Sequence, residues 1–143
     1  MAKNWFEATV RYERALDNGI IKKVSEKYLL DAVNPTEAET RITELIAPLS
    51  VGEFSVKSIV EQSYQEFISS DAINADYFFC ATLEFITLDE RTGKEKKSAH
   101  RVLIQAIGFH DAVNRLVNEM KNSIVDYSIV KIERTKLIDV YTK

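Results

Sequence analysis

The chain has little of what usually advertises chemistry. Its 143 residues include one cysteine, Cys80, so no internal disulfide can close and no multi-cysteine metal site can form. Cys80 lies in a strand-like run, Phe78-Phe79-Cys80-Ala81-Thr82, away from the helix start or basic turn that would lower a thiol pKa, so it reads as structural. The four glycines, at 19, 52, 93 and 108, are too scattered for a phosphate-cradling loop or a dinucleotide fingerprint. His100 and His110 have no Cys or acidic neighbour at a metal-site spacing, and adjacent helical residues such as His110 and Asp111 do not face one another. The acidic pairs Glu37/Glu39 and Asp89/Glu90 fall on a solvated helix face and in a turn. No catalytic residue, cofactor or metal ligand is expected, and the chain does not read as an enzyme.

Long apolar runs are missing too. None approaches the ~20 residues that span a bilayer, and the first five residues, Met-Ala-Lys-Asn-Trp, lack the apolar centre of a signal peptide, so the expectation is a cytoplasmic protein with no membrane partner. A net charge of −3 argues against a general polyanion binder while leaving room for a local basic face.

What remains is an ordinary globular composition, 45% hydrophobic and 29% charged, with a visible plan. The stretch Phe6-Glu-Ala-Thr-Val-Arg-Tyr12 alternates apolar and polar side chains, which is the period of a strand with one buried face. A similar stretch, Phe79-Cys-Ala-Thr-Leu-Glu-Phe85, follows at an offset of 79 − 6 = 73. Asn18-Gly19 signals a tight hairpin, returning through Lys22 to Asp31 with Val24, Glu26, Tyr28 and Leu30 on one face. Asn34-Pro-Thr-Glu37 supplies a cap, a first-turn proline and a capping-box carboxylate for a helix whose stripe is Ala38, Ile42, Leu45, Ile46 and Leu49. A third strand follows, with Phe54, Val56 and Ser58 alternating with Ser55, Lys57 and Ile59, then a short strand near Ser63 to Ile68.

The second half repeats this order. Leu88 to Lys94 forms a longer turn, Lys96-Lys97 echoes Lys22-Lys23 at 97 − 23 = 74, and Ala112, Leu116, Val117, Met120 and Ile124 form the second stripe. Here Gly108 stands where Asn34 caps and Asp111 where Glu37 stands, so this helix start is the weaker one. The expected fold is α+β: tandem pseudo-symmetric ββαβ(β) repeats over 5–68 and 77–141, joined by a polar linker 69–76, with antiparallel sheet or sheets and two amphipathic helices on one side. Each copy alone is small enough to be marginal, so a single domain over 1–143 is expected.

The aromatic first strand, the Lys-Lys return strand, Tyr28-Leu-Leu-Asp-Ala32, the Pro-Thr-Glu-Ala-Glu helix start and the Thr87-to-Lys97 turn together resemble an uncharacterised family. It is a domain of unknown function found in Bacteroidota and their phages and mobile elements. The resemblance covers nearly the whole chain, implies a phage or mobile-element setting in a bacterial host cell, and carries over no activity and no site residue.

One surface invites a functional reading. If the alternation holds, Arg11, Lys23 and Lys27 lie on the outward face of the first copy, and Lys97 and Arg101 on that of the second, beside Thr9 and Thr82. These five cations share the surface with Glu7, Glu13, Asp31 and Glu84, which also describes a solvated sheet face laced with cross-strand ion pairs. Single-stranded nucleic acid lying across the sheet is the sharper alternative, with Trp5 and Phe78 outward by parity and placed to stack bases. A third reading is a protein partner or self-assembly, through exposed sheet edges and the outward apolar residues Trp5, Leu29, Phe78 and Leu103. The expectation is a non-catalytic binding module acting through a protein partner or self-assembly, with nucleic-acid binding as the alternative.

Overall fold

A computed structural model describes residues 4–143. The fold is mixed α and β, with two helices and two antiparallel-rich four-stranded sheets. Strands β1 (Trp5–Ala15) and β2 (Ile21–Asp31) form the first hairpin, helix α1 (Pro35–Ile46) follows, and β3 (Phe54–Gln62) and the short β4 (Glu66–Ile68) come next. The second series is β5 (Tyr77–Leu88), β6 (Glu95–Ala106), α2 (Phe109–Met120), β7 (Asp126–Arg134) and β8 (Leu137–Tyr141). The chain divides into two compact units, residues 1–63 with 136–143, and residues 64–135.

In the first unit the sheet order is β3-β1-β2-β8. The Asn18-Gly19 turn closes as its chemistry demands: Gly19 adopts φ +83, a left-handed value that favours glycine, and Asn18 Oδ1 accepts from Ile20 N at 3.1 Å. The hairpin register pairs Phe6 with Leu30, Ala8 with Tyr28 and Tyr12 with Val24. That lines one face with apolar side chains, and α1 covers it through Ala38, Ile42 and Ile46 to make the first core. Asn34 caps α1 by accepting from Glu37 N at 2.8 Å, with Pro35 in the first turn. The expected stripe narrows at its end. Leu45 sits at the edge of the Ala38, Ile42 and Ile46 stripe and is exposed, and Leu49 is exposed because the helix tightens into a 3-10 turn over Ala47–Leu49 around Pro48 and carries it off the core.

The second unit has the sheet order β4-β6-β5-β7. Phe79, Ala81, Leu83, Val102, Ile104 and Ala106 meet Ala112 and Leu116 of α2 in a separate core. Val117 and Ile124, expected on the α2 stripe, are exposed, the latter lying beyond the end of the helix. Gly108 lends no side chain to the start of α2; instead the Asp111 carboxylate accepts from Ile107 N at 3.0 Å and from Arg115 at 3.1 Å.

Two features depart from the expected strand plan. Neither sheet is purely antiparallel, because β8 pairs in parallel with β2 and β4 pairs in parallel with β6. Each sheet therefore receives its fourth strand from the far side of a long connection, as parallel pairing requires. The incoming strands are pinned: Lys143 N donates to Asp31 Oδ1 at 3.0 Å and its Nζ pairs with Glu37, while Gln65 N donates to Arg101 O at 2.9 Å. The second departure lies in β3. A bulge at Lys57 shifts the register between Thr9 and Val10, so Ser58 stands opposite Thr9 on the outward face while Ile59 stands opposite Ala8 and packs on the core. Beyond Lys57, strict alternation assigns the wrong faces.

Candidate functional site

The outward face of the first sheet begins with short side chains beside long ones. Arg11 in the middle of β1 has Ser25 as its neighbour on β2 and Ser55 as its neighbour on β3. Two serines cannot fill the space along a guanidinium, and a cavity of about 140 Å³ opens there. Arg11, Lys23 and Lys57 line it with Glu13, Glu53 and Ser55, and Tyr12 completes the wall. Lys57 reaches the cavity from the bulge, on the same face as Ser55. Glu13 is held by the loop after α1: its backbone N–H donates to Ser50 Oγ at 3.3 Å, its carbonyl accepts from Val51 N at 2.9 Å, and its side chain lies against Gly52.

The three cations approach no carboxylate within 4.0 Å among the described residues, unlike their neighbour Lys27, which pairs with Glu7 at 3.8 Å. The structure thus brings Arg11 and Lys23 together, sets Lys27 in an ion pair, and adds Lys57, Ser55 and Glu53, which share one parity in and just before β3 and come beside Arg11 only through the pairing of β3 with β1.

The remaining expected site residues lie elsewhere. Lys97 is exposed in the β5–β6 hairpin of the second unit, opposite Ile86. Arg101 is fixed over the Tyr64 ring at 4.5 Å. Trp5 and Phe78, expected as outward stacking groups, are buried at 4% and 2% exposure, and Leu29 and Leu103 are fully buried. Parity placed them correctly on the face away from the helix. The inference that this face is open fails, because burying a large aromatic or aliphatic side chain is worth about 1.5–3 kcal/mol and a face rich in them is covered. In the second unit Phe67 of β4 approaches Phe78 with ring centroids 6.3 Å apart, part of that cover. Cys80 is buried as well.

A second polar constellation lies on the helix side of the first sheet. The Glu26 carboxylate accepts from Tyr12 Oη, from Tyr28 Oη at 2.9 Å and from Arg14 at 3.3 Å. Tyr141 of β8 stacks on Tyr28 with centroids 5.7 Å apart. Burial first, then the hydrogen bond to Glu26 and after it the Glu26 charge, raises the pKa of both Tyr12 and Tyr28; burial, then Asp139, raises that of Tyr141. The shifts favour the protonated phenols still further, which suits a satisfied structural network. In the second unit the Glu66 carboxyl is raised by its hydrogen bond to Glu119 and by burial.

Exposed large apolar residues are spread over both units, Val33, Ile73, Ile107 and Phe109 among them, and several stand toward the hairpin end of each. In the first they are Leu16, Ile20, Ile21, Leu49 and Val51, the last tied to β1 through its amide; in the second, Leu88, Ile124 and Val125. Among the described residues no group of three or more His, Cys, Asp or Glu side chains is arranged to hold a metal ion. No helix among the described residues is long and apolar enough to cross a membrane.

No curated protein matches the chain significantly. A family model matches residues 4–143, nearly the whole length, and the chain belongs to that family, described as a domain of unknown function, DUF4494.

Proposed function

We propose that the protein is a non-catalytic binding module that works by protein contact, and that its first partner is a second copy of itself. The observation that carries this reading is the apolar hairpin end, with Ile20, Ile21, Leu49 and Val51 each more than half exposed. Contiguous exposed apolar side chains mark contact surfaces, and single scattered ones do not. Leu88, Ile124 and Val125 occupy the corresponding end of the second unit, so another copy of the chain offers a matching surface twice over.

The nucleic-acid alternative loses support from the burial of Trp5 and Phe78, the groups it needs for stacking. The phage or mobile-element setting and a cytoplasmic location belong to this proposal through the family resemblance. So does the origin of the fold by duplication of one ββαβ plan, supported by two bulges 73 residues apart, at Thr9/Val10 and Thr82/Leu83, and by the offsets in the sequence.

Light scattering on eluted protein across a wide concentration range tests the reading. A mass rising above 16.4 kDa with concentration, and returning to it in Ile20→Lys with Leu49→Lys, is the expected result. A mass that stays at 16.4 kDa throughout removes self-association.

A further inference from the structure

We infer that the cavity on the first sheet is a binding site for a small phosphate-class oxyanion, held by Arg11, Lys23, Lys57 and Ser55. Three cations from three strands point into one space with no carboxylate within ion-pair distance, although Glu13 and Glu53 stand at the same wall. Left to themselves, flexible lysines and glutamates on a sheet face collapse into cross-strand pairs, as Lys27 and Glu7 do at 3.8 Å. Here the backbone opposes that collapse. Glu13 lies against Gly52, where a Cβ would lie 1.6 Å from its Oε2, and Lys57 lines the cavity from the bulged position of β3.

The size suits a small ion. A volume of about 140 Å³ is roughly ten times the ~10–15 Å³ that one water needs, enough for a phosphate with a water or a short organic stub. The donor set suits a tetrahedral oxyanion better than a planar carboxylate: one guanidinium fork, two ammonium groups and a hydroxyl approach from different strands and reach different oxygens. Glu13 and Glu53 reduce the local charge to +1, which disfavours long polyanions and favours a single phosphate group.

The matching positions of the second unit argue that this is more than a by-product of the fold. Its sheet has the same bulge, between Thr82 and Leu83, yet the bulged residue is Val130, and Glu84 stands 73 residues after Arg11. The backbone device recurs, while of the three cations only Lys23 has a counterpart, Lys97 at 97 − 23 = 74.

The experiment is titration of the full chain with inorganic phosphate, followed through backbone amide chemical shifts, with sodium chloride and sodium acetate at equal ionic strength as controls. The expected result is saturable shifts at residues 11, 23, 55 and 57 in the millimolar range with phosphate only. Lys57→Val and Arg11→Gln should each weaken binding by about tenfold or more, the worth of one charge-assisted hydrogen bond, and Glu53→Gln should tighten it. Both cation variants change exposed side chains, and an unchanged spectrum elsewhere shows that the fold persists. Tighter binding of glycerol 1-phosphate than of phosphate points to a phosphorylated metabolite, and equal binding to free phosphate. Shifts that stay linear to tens of millimolar, that chloride or acetate reproduces, or that Lys57→Val and Arg11→Gln leave unchanged overturn the assignment.

Discussion

The two units use one arrangement of strands and helix but put different side chains at matching positions. Opposite Val10, the inward residue of β2 is Glu26, which gathers Tyr12, Tyr28 and Arg14; opposite Leu83, the inward residue of β6 is His100, lying edge-on to Phe85 with centroids 4.3 Å apart. On the outward side the first bulge presents Lys57 to a cationic cavity and the second presents Val130 to solvent. Helix α1 starts on an Asn cap and α2 on a bare glycine helped by Asp111. Backbone geometry here tolerates opposite chemistries, because a sheet face asks only for alternation and a bulge only for one extra residue. The chemistry is therefore where the units must be told apart.

The sharpest way to break the comparison is to cut it. Residues 1–72 and 73–143 expressed separately each lack the parallel strand the other supplies, β8 for the first sheet and β4 for the second. Neither half should show cooperative unfolding alone, and mixing them should restore the circular dichroism of the whole chain. A half that melts cooperatively on its own would show that the exchanged strand is dispensable.

Next in size is the interior carboxylate. Glu26→Ala leaves two phenols without their acceptor, with Arg14 keeping only Tyr12 Oη, and should cost about 2–3 kcal/mol, measured by urea unfolding, whereas His100→Ala should cost about 1 kcal/mol for lost ring packing. Equal losses would mean that the polar network contributes no more than the aromatic contact.

The same cluster sets a pH limit. Tyr12, Tyr28 and Tyr141 have folded pKa values above the ordinary 10.0, so the unfolded chain loses phenolic protons first as pH rises. Their contribution is fully present below pH 10.0 and is lost progressively above it. Melting temperature should fall above that pH, and Tyr12→Phe with Tyr28→Phe should flatten the fall. At the acid end Asp111 is held below its ordinary 3.8, first by Ile107 N and then by Arg115, so its support of α2 is present above pH 3.8 and lost as pH drops below it.

The smallest expected effects are at the caps. Asn34→Ala should cost about 1 kcal/mol. Gly108→Asn should add about 0.5 kcal/mol, since φ 179 suits any residue and a Cβ there meets nothing within 4 Å. A loss of stability on Gly108→Asn would mean that Asp111 already supplies all the capping this helix can use.

Much of the secondary structure was legible. The hairpins, Asn34-Pro35, and the buried sets Phe6, Ala8, Val10, Tyr12 and Phe79, Ala81, Leu83 follow from periodicity and turn chemistry, which act over a few residues. Of the candidate site, Arg11 and Lys23 were legible because parity on a regular hairpin is dependable. Lys57 as their companion was not, because parity places it on a face of β3 without saying that β3 pairs beside β1 at this register. Trp5 and Phe78 went astray for the reverse reason: parity tells which face a residue takes but not whether something covers that face.

By itself the sequence determined where strands and helices begin and which of their faces are apolar. Those properties depend on neighbours within about one helical turn or one hairpin. Only the tertiary structure decided that β4 joins β6 and β8 joins β2, that the second sheet face is covered at Trp5 and Phe78, and that Arg11, Lys23 and Lys57 share one cavity. Those outcomes depend on which distant segments meet, and a linear pattern with the same period permits more than one such meeting.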